Sequence, residues 1–252
     1  MSRTRYAPPA CRGGSILAAA SLLIVGDLLA PTPMAAQYTK TAYFETWTDL
    51  ATIYNVGDRF RYDGDYGVRA WPSTEDFSQV YLRPSVRYEL QPWLRFHGGL
   101  AWFHTFFPNT GDVDEIRPWV GLRFVGPRPG GFLIQNYFRL EFRVFEFQTG
   151  GTRSTAWRGR WQLQVRSPDF SVGSAERFYA LAFAEFFHTL GTEVQGFAAE
   201  RLRLNLGAGK TLSPRWRVEL NGMFQKGRVE QGLAGFDLDE GILRLRLFYS
   251  LN

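Results

Sequence analysis

The chain has 252 residues, with 29 lysines and arginines against 24 aspartates and glutamates, which gives a formal charge of +5. Hydrophobic residues make up 45% of the sequence and aromatic residues 16%, and there is one cysteine. This length suffices for one large all-β domain. Beyond residue 36, no apolar run approaches the roughly 20 residues that a membrane-spanning helix needs. The composition therefore excludes a helical membrane protein.

The first 36 residues have the pattern of a cleavable signal peptide. Three arginines form a basic region, residues 16–30 form an apolar region, and cleavage is predicted between Ala36 and Gln37. The apolar region is too short and too interrupted to favour an uncleaved membrane anchor. Cleavage removes Cys11, so the mature domain, residues 37–252, has no thiol for a zinc site or for a cysteine nucleophile.

Alternation of apolar and charged residues with a period of two dominates the mature domain. Arg244 and Arg246, for example, alternate with three leucines. Successive side chains of a strand point to opposite faces, so each such segment has one apolar and one charged face. The predicted strands are 42–56, 59–72, 77–90, 93–106, 114–126, 131–147, 153–166, 178–189, 198–211, 215–227 and 239–251.

The connections between these eleven segments alternate between short turns and longer, mostly polar loops. This alternation is typical of an up-and-down antiparallel β-barrel that has its turns at one mouth and its loops at the other. Because bacterial single-chain barrels have even strand numbers, we expect about twelve strands, with ten as the runner-up. The missing strand is expected between Tyr38 and Val56.

Three features favour a transmembrane barrel in the bacterial outer membrane over a soluble β-sandwich. The predicted strands are longer than the usual soluble strand. Aromatic residues lie near the ends of the apolar faces, where the two lipid interfaces would be. The charged faces use arginine and almost no lysine, which suits a crowded interior. An arginine at the lipid midplane costs roughly 2–4 kcal/mol, so we expect the charged faces to point into the lumen, the interior of the barrel.

The lumen is the most informative surface that the sequence predicts. The alternation places there a basic track made of Arg83, Arg87, Arg117, Arg139, Arg143, Arg160, Arg203 and Arg244. The same alternation predicts as its acidic partners Glu89, Glu115, Glu141, Glu185 and Glu219.

Two interpretations of these charges stay open. Cross-strand ion pairs contribute roughly 0.2–1 kcal/mol each and can fill a small barrel as a purely structural network. The excess of arginine instead favours a narrow, porin-like channel for small anions or acidic oligomers, because rings of basic side chains select anions. We expect membrane lipid and the barrel-assembly machinery as further partners. Basic residues that point inward disfavour nucleic acid.

Two further functions are weaker alternatives. A lipid-modifying hydrolase could use His104 or His188 near strand ends, but no serine lies beside a histidine in a recognisable pattern and no serine is flanked as a nucleophile. The sequence shows no catalytic, cofactor or metal motif. A structural or adhesion barrel could act through the loop 228–239.

The strand motifs resemble an uncharacterised family of bacterial barrels, domain of unknown function (DUF) 2490. The residues that carry the resemblance are Leu82-Arg83-Pro84, Glu115-Ile116-Arg117-Pro118-Trp119, Phe138-Arg139-Leu140-Glu141-Phe142-Arg143, Arg158 with Arg160 and Gln162, Ala184-Glu185-Phe186-Phe187 and Arg201-Leu202-Arg203. The resemblance covers residues 43–252 and implies an exported outer-membrane barrel, without a substrate or a catalytic residue. Barrel chains commonly end in an aromatic residue, whereas this one ends in Asn252.

Overall fold

In a computed structural model of the chain, the described residues form almost nothing but β-strands. These residues are 42–71, 78–108, 111–172, 177–191, 201–227 and 238–252, and they belong to one structural unit, 36–252. The predicted signal peptide lies outside them and stays a prediction. No helix in the described part of the chain is long and apolar enough to cross a membrane, a finding that concerns helices only.

The described chain contains thirteen strands and two single 3₁₀ turns, the turns being Pro129–Gly131 and Thr149–Gly151. The strands are β1 Ala42–Val56, β2 Phe60–Ala70, β3 Ser78–Leu82, β4 Ser85–Gln91, β5 Leu94–Phe106, β6 Val113–Val125, β7 Leu133–Phe147, β8 Thr152–Arg166, β9 Phe170–Ser171, β10 Arg177–Leu190, β11 Arg201–Thr211, β12 Trp216–Gly227 and β13 Leu238–Ser250.

These strands form one closed barrel wall, as the sequence predicts, and every pairing in it but that of β1 with β13 is antiparallel. Each strand pairs with its neighbours along the chain, and β1 pairs with β13 to close the circle. Strands β3 and β4 together occupy one place between β2 and β5, and the two-residue β9 only extends the edge beside β10. The wall therefore has eleven strand positions.

The strand number corrects the expectation of twelve, and also the runner-up of ten. Strand β1 runs unbroken from Ala42 to Val56, so no additional strand lies hidden within that part of the predicted stretch. Neighbouring strands alternate in direction, and with an odd number the first and the last must run the same way. The pairing of β1 with β13 is accordingly parallel, and we call it the seam.

The break between β3 and β4 follows from a proline. Pro84 has no backbone N–H and cannot donate to a ladder in the middle of a sheet. The neighbouring backbone groups still pair, because the Arg83 N–H donates to the Asp65 carbonyl at 2.8 Å and the Leu100 N–H donates to the Pro84 carbonyl at 3.1 Å. The wall therefore stays closed across the break.

The two mouths of the barrel have different connections. The turn end carries the connections 57–59, 92–93, 126–132, 167–176 and 212–215, of which 173–176 lie outside the described residues. The loop end carries 71–77, 107–112, 148–151, 191–200 and 228–237, of which 72–77, 109–110, 192–200 and 228–237 lie outside the described residues. This division matches the alternation of connections in the sequence.

The two faces of the wall differ as the period-two pattern requires. Odd-numbered residues of β2 to β7 and of β10 to β12, and even-numbered residues of β8 and β13, point inward, and these positions include buried charged groups such as Glu141 and Arg143. The outer face exposes large apolar side chains, among them Leu100, Val120 and Leu206. The barrel is thus polar inside and apolar outside.

The polar terminal residue has a structural role at the seam. The Asn252 side-chain oxygen accepts a hydrogen bond from the Asn55 backbone N–H at 2.9 Å, and its amide donates to the Asn55 carbonyl at 2.8 Å. The Leu251 N–H donates to the Ile53 carbonyl at 2.8 Å. An asparagine at the last position therefore pins β1 beside the end of β13.

The seam predicts a specific cross-link. In a Cys11→Ser background, we expect Thr48→Cys and Leu245→Cys to form a disulfide on oxidation, because these residues are direct partners on the outer face and paired strands lie about 4.8 Å apart. The control pair is Thr48→Cys with Leu220→Cys, which is one strand further away and should stay reduced. Mass spectrometry of the folded barrel checks both. A twelfth strand at the seam would leave the first pair reduced as well.

Candidate functional site

The first cluster of lumen charges joins the two ends of the wall across the seam. Asp49 of β1 accepts hydrogen bonds from Arg244 at 2.7 and 2.8 Å and from Arg246 at 2.6 Å. Asp65 of β2 accepts from Arg246 at 3.3 Å and pairs with Arg83. Two carboxylates thus hold three arginines, two of them on β13, which fixes the parallel pairing with charge-assisted hydrogen bonds.

The second cluster centres on Glu115 of β6. Arg117 on the same strand donates to both of its carboxylate oxygens at 2.8 Å. Arg143 lies on the neighbouring strand β7 and donates to the same two carboxylate oxygens at 2.6 and 2.9 Å. The carboxylate is therefore clamped by two bidentate guanidinium groups, the arrangement in which arginine binds a carboxylate most specifically.

The third cluster is a ladder of charges over β7, β8, β10 and β11. Glu141 has 0% of its surface exposed and contacts Arg158 at 2.7 Å and Arg160 at 2.8 Å, with Arg139 at 2.8 Å as a further ion pair. Arg160 continues to Glu185, which also accepts from Arg203 at 3.1 Å. A buried charge of this kind persists only when opposite charges surround it.

Aromatic rings inside the lumen support the guanidinium groups. Arg139 lies 3.9 Å from the centre of the Trp119 ring, and Arg69 lies 4.0 Å from that of Trp47. A planar guanidinium can stack on a ring face while its edge stays available for hydrogen bonds. The rings thus hold arginines in place without neutralising their charge.

The lumen encloses a cavity of about 630 Å³ whose wall is strongly basic. Fifteen of the described residues that line it are arginines and five are acidic. Glu141 and Asp49 are not on its surface, because the arginines that pair with them cover them. The cavity therefore presents guanidinium groups to a solute and keeps much of the balancing negative charge behind them.

Seven of the eight predicted track residues line this cavity: Arg83, Arg117, Arg139, Arg143, Arg160, Arg203 and Arg244. Arg87 does not line it. Among the predicted acidic partners, Glu115, Glu185 and Glu219 are on the cavity wall and Glu141 lies behind it. Glu89 pairs with Arg95 at 3.1 Å, away from the cavity.

Sequence reasoning missed the inward face of β1. Glu45, Trp47 and Asp49 are all buried there, and Glu45 accepts a hydrogen bond from the Trp47 indole N–H at 2.5 Å. The strand carries no arginine, so it lacks the basic alternation that marks the other strands. The segment Glu45-Thr46-Trp47-Thr48-Asp49 does alternate with a period of two, and this alternation could have placed the two acids and the tryptophan on the inward face.

The two histidines considered for a hydrolase both point away from the lumen. His104 lies between two carboxylates, with Nδ1 at 2.9 Å from Asp114 and Nε2 at 3.5 Å from Asp112. Because both ring nitrogens face carboxylates, neither is placed to accept a proton from a nucleophile. His188 is exposed and stacks on Phe186 at 6.3 Å. Among the described residues, no group of three or more His, Cys, Asp or Glu side chains is placed to hold a metal ion.

Comparison with known proteins identifies one family. The model of a family described as a protein of unknown function (DUF2490) matches residues 44–233. Among solved structures, the chain is similar to an anion-selective porin from Comamonas acidovorans, with 15% sequence identity and a TM-score of 0.34. The similarity covers 74% of this chain and 57% of the porin, so the chain spans less than two thirds of that protein's length. No curated protein matches the chain.

The role of Glu141 can be tested by one isosteric change. We expect Glu141→Gln to lower the free energy of unfolding by about 3–5 kcal/mol, because it leaves buried arginines without their counter-ion. The matched control is Glu146→Gln on the same strand, which is exposed on the outer face and should change stability by less than about 0.5 kcal/mol. Urea unfolding of the refolded barrel measures both. Equal losses in the two variants would contradict the assigned role.

Proposed function

The chain belongs to the DUF2490 family of proteins of unknown function, and we propose that it is an outer-membrane barrel whose lumen binds and passes small anions. The observation that carries this proposal is the cavity wall, where arginines outnumber acidic residues by fifteen to five. A concave surface lined by one sign of charge concentrates the opposite ion. The lumen is therefore suited to anions and unfavourable to cations.

The outer face of the wall supports the membrane part of the proposal. Large apolar side chains are exposed on strand after strand, including Leu140 at 39%, Leu204 at 42% and Leu243 at 44%. A soluble monomer rarely exposes a contiguous apolar surface of this extent. Lipid is the environment in which such a surface is stable.

Aromatic pairs on the outer face lie in two bands near the two mouths. The pairs at the turn end are Phe60–Tyr88, Trp93–Phe124, Phe170–Phe178 and Trp216–Tyr249. The pairs toward the loop end are Phe142–Trp157, Trp102–His104 and Phe186–His188. Girdles of aromatic side chains at both lipid interfaces are a general feature of membrane barrels.

Arg69 supports the anion part of the proposal most directly. It lines the cavity, it is held by the Trp47 ring, and it donates a hydrogen bond to the neutral amide of Gln79 at 3.0 Å. Its Nε is buried without a hydrogen-bond partner. A guanidinium held by a ring and an amide keeps its full charge for a passing solute.

The main competing function is a structural barrel with a closed lumen. The ion pairs around Glu115, Glu141 and Glu185 would serve that function equally well. The cavity of about 630 Å³ favours passage, because it offers far more room than a single water molecule needs. The adhesion alternative rests on the loop 228–239, most of which lies outside the described residues. The hydrolase alternative is weakened because His104 lies between two carboxylates and His188 stacks on Phe186.

Ion selectivity in planar bilayers tests the proposal. Under a potassium chloride gradient, we expect a reversal potential that indicates chloride selectivity. We expect Arg69→Gln to lower the anion-to-cation permeability ratio about twofold or more, since it removes an unneutralised charge from the cavity wall. Arg153→Gln is the matched control, because Arg153 is exposed on the outer face. A refolded barrel that conducts no ions, or that prefers potassium, would overturn the proposal.

A further inference from the structure

A separate group of cations lies near the turn end of the lumen, around His97 of β5. Its four arginines come from four adjacent strand positions: Arg61 of β2, Arg87 of β4, Arg95 of β5 and Arg123 of β6. We call these four residues and His97 the turn-end cluster. All four guanidinium groups act electrostatically on His97. Only Arg87 belongs to the basic track that the sequence predicts.

The strand register places like charges directly opposite one another in this cluster. Arg61 is the direct cross-strand partner of Arg87, and Arg95 is the direct partner of Arg123. Like charges in this position destabilise a sheet. Arg139 and Arg160 face each other in the same way in the ladder around Glu141. There, however, both arginines form an ion pair with the Glu141 carboxylate, which offsets their repulsion.

The turn-end cluster has too few carboxylates to neutralise it. Asp63 pairs with Arg61 at 2.5 Å, and Glu89 pairs with Arg95 at 3.1 Å. No carboxylate in the described part of the chain forms an ion pair with Arg87 or Arg123. Two positive charges are therefore left in excess.

Buried polar atoms in the cluster also lack partners. The Arg123 Nε and the His97 Nε2 are buried and form no hydrogen bond. His97 as a whole is only 6% exposed. The Tyr137 ring packs over Gly121, 5.3 Å from the His97 ring and 4.6 Å from the Arg123 guanidinium. Unsatisfied buried donors and acceptors are rare in folded proteins, and each one calls for a missing ligand or another cause.

A solute in the lumen can reach this cluster. Arg61 and Arg123 both line the main cavity, and the other members follow them in the strand register toward β4 and β5. Two of the five members of the cluster are thus on the wall of the basic cavity, and the other three are their neighbours in the sheet.

We propose that the turn-end cluster is a binding site for a doubly charged oxyanion of the phosphate type. This site would give the proposed function a specific ligand. It rests on that function in one respect, because the lumen must admit anions. A dianion balances the two excess charges. Its several oxygens can each accept from a guanidinium fork, whereas chloride offers no such geometry. Binding also relieves the repulsion between the facing arginines.

Thermal unfolding of the refolded full-length barrel in detergent micelles tests the site. Inorganic phosphate is compared with chloride at equal ionic strength and at the same pH, above neutrality. We expect phosphate to raise the melting temperature of the wild-type barrel by about 5 °C. Arg87→Gln and Arg123→Gln should each abolish this shift. Arg128→Gln, which removes an exposed arginine from a turn, should retain it.

Two results would overturn the site. The first is a wild-type barrel that phosphate stabilises no more than chloride does. The second is a phosphate shift that persists in both lumen variants, which would place the bound anion elsewhere. If either glutamine variant fails to fold, calorimetric titration of Arg87→Lys or Arg123→Lys with phosphate replaces it, because lysine keeps the charge and lacks the fork. Unchanged affinity in the lysine variant would again overturn the site.

Two further arms separate this site from related possibilities. A shift with inorganic phosphate but not with glycerol 3-phosphate identifies the free ion as the ligand, and a shift with both identifies the phosphate group of larger solutes. Melting does not depend on conduction. A barrel that is silent in bilayers but stabilised by phosphate would therefore overturn the channel and support the binding site.

Discussion

Guanidinium groups inside a closed wall cannot be fully hydrated, so a carboxylate that lies beside an inward arginine stabilises it strongly. This constraint accounts for the placement of the carboxylates. Glu141 serves several arginines at once, and Asp49 joins β1 to the arginines of β13. The same ion pairs align the strands on which they lie. The ion pairs that compensate the charges inside the lumen therefore also hold the wall closed.

The constraint also explains why the interior uses arginine. None of the described residues on the cavity wall is a lysine, and Lys210 and Lys226 extend from the outer face beside Phe178 and Phe224. Lysine is a point charge, whereas arginine can stack on a ring and form two parallel hydrogen bonds at the same time. Arg117 uses both modes, on the Phe103 ring and on the Glu115 carboxylate. Lumen arginines thus bind carboxylates of the protein in the manner in which they would bind a soluble oxyanion.

The sequence predicts the strands well because one face of each must be apolar and the other polar. Every predicted strand boundary lies within three residues of an observed one, apart from the break at Pro84. The alternation also predicts which arginines point inward. It does not predict that β13 pairs with β1 in parallel, because residues so distant in sequence carry no local signal of their pairing. It likewise misses Asp49 on β1, which has no arginine on its own strand, and it cannot show that Arg87 lies off the main cavity.

The parallel seam has a consequence for the connectivity of the protein. Strand β1 runs from the loop end to the turn end, and β13 runs in the same direction to Asn252, beside Asn55. The polypeptide therefore enters the wall at one mouth and leaves it at the other, whereas an even-numbered barrel returns it to the mouth where it began. A peptide joined ahead of Ala42 and one joined behind Asn252 would therefore project from opposite ends of the barrel.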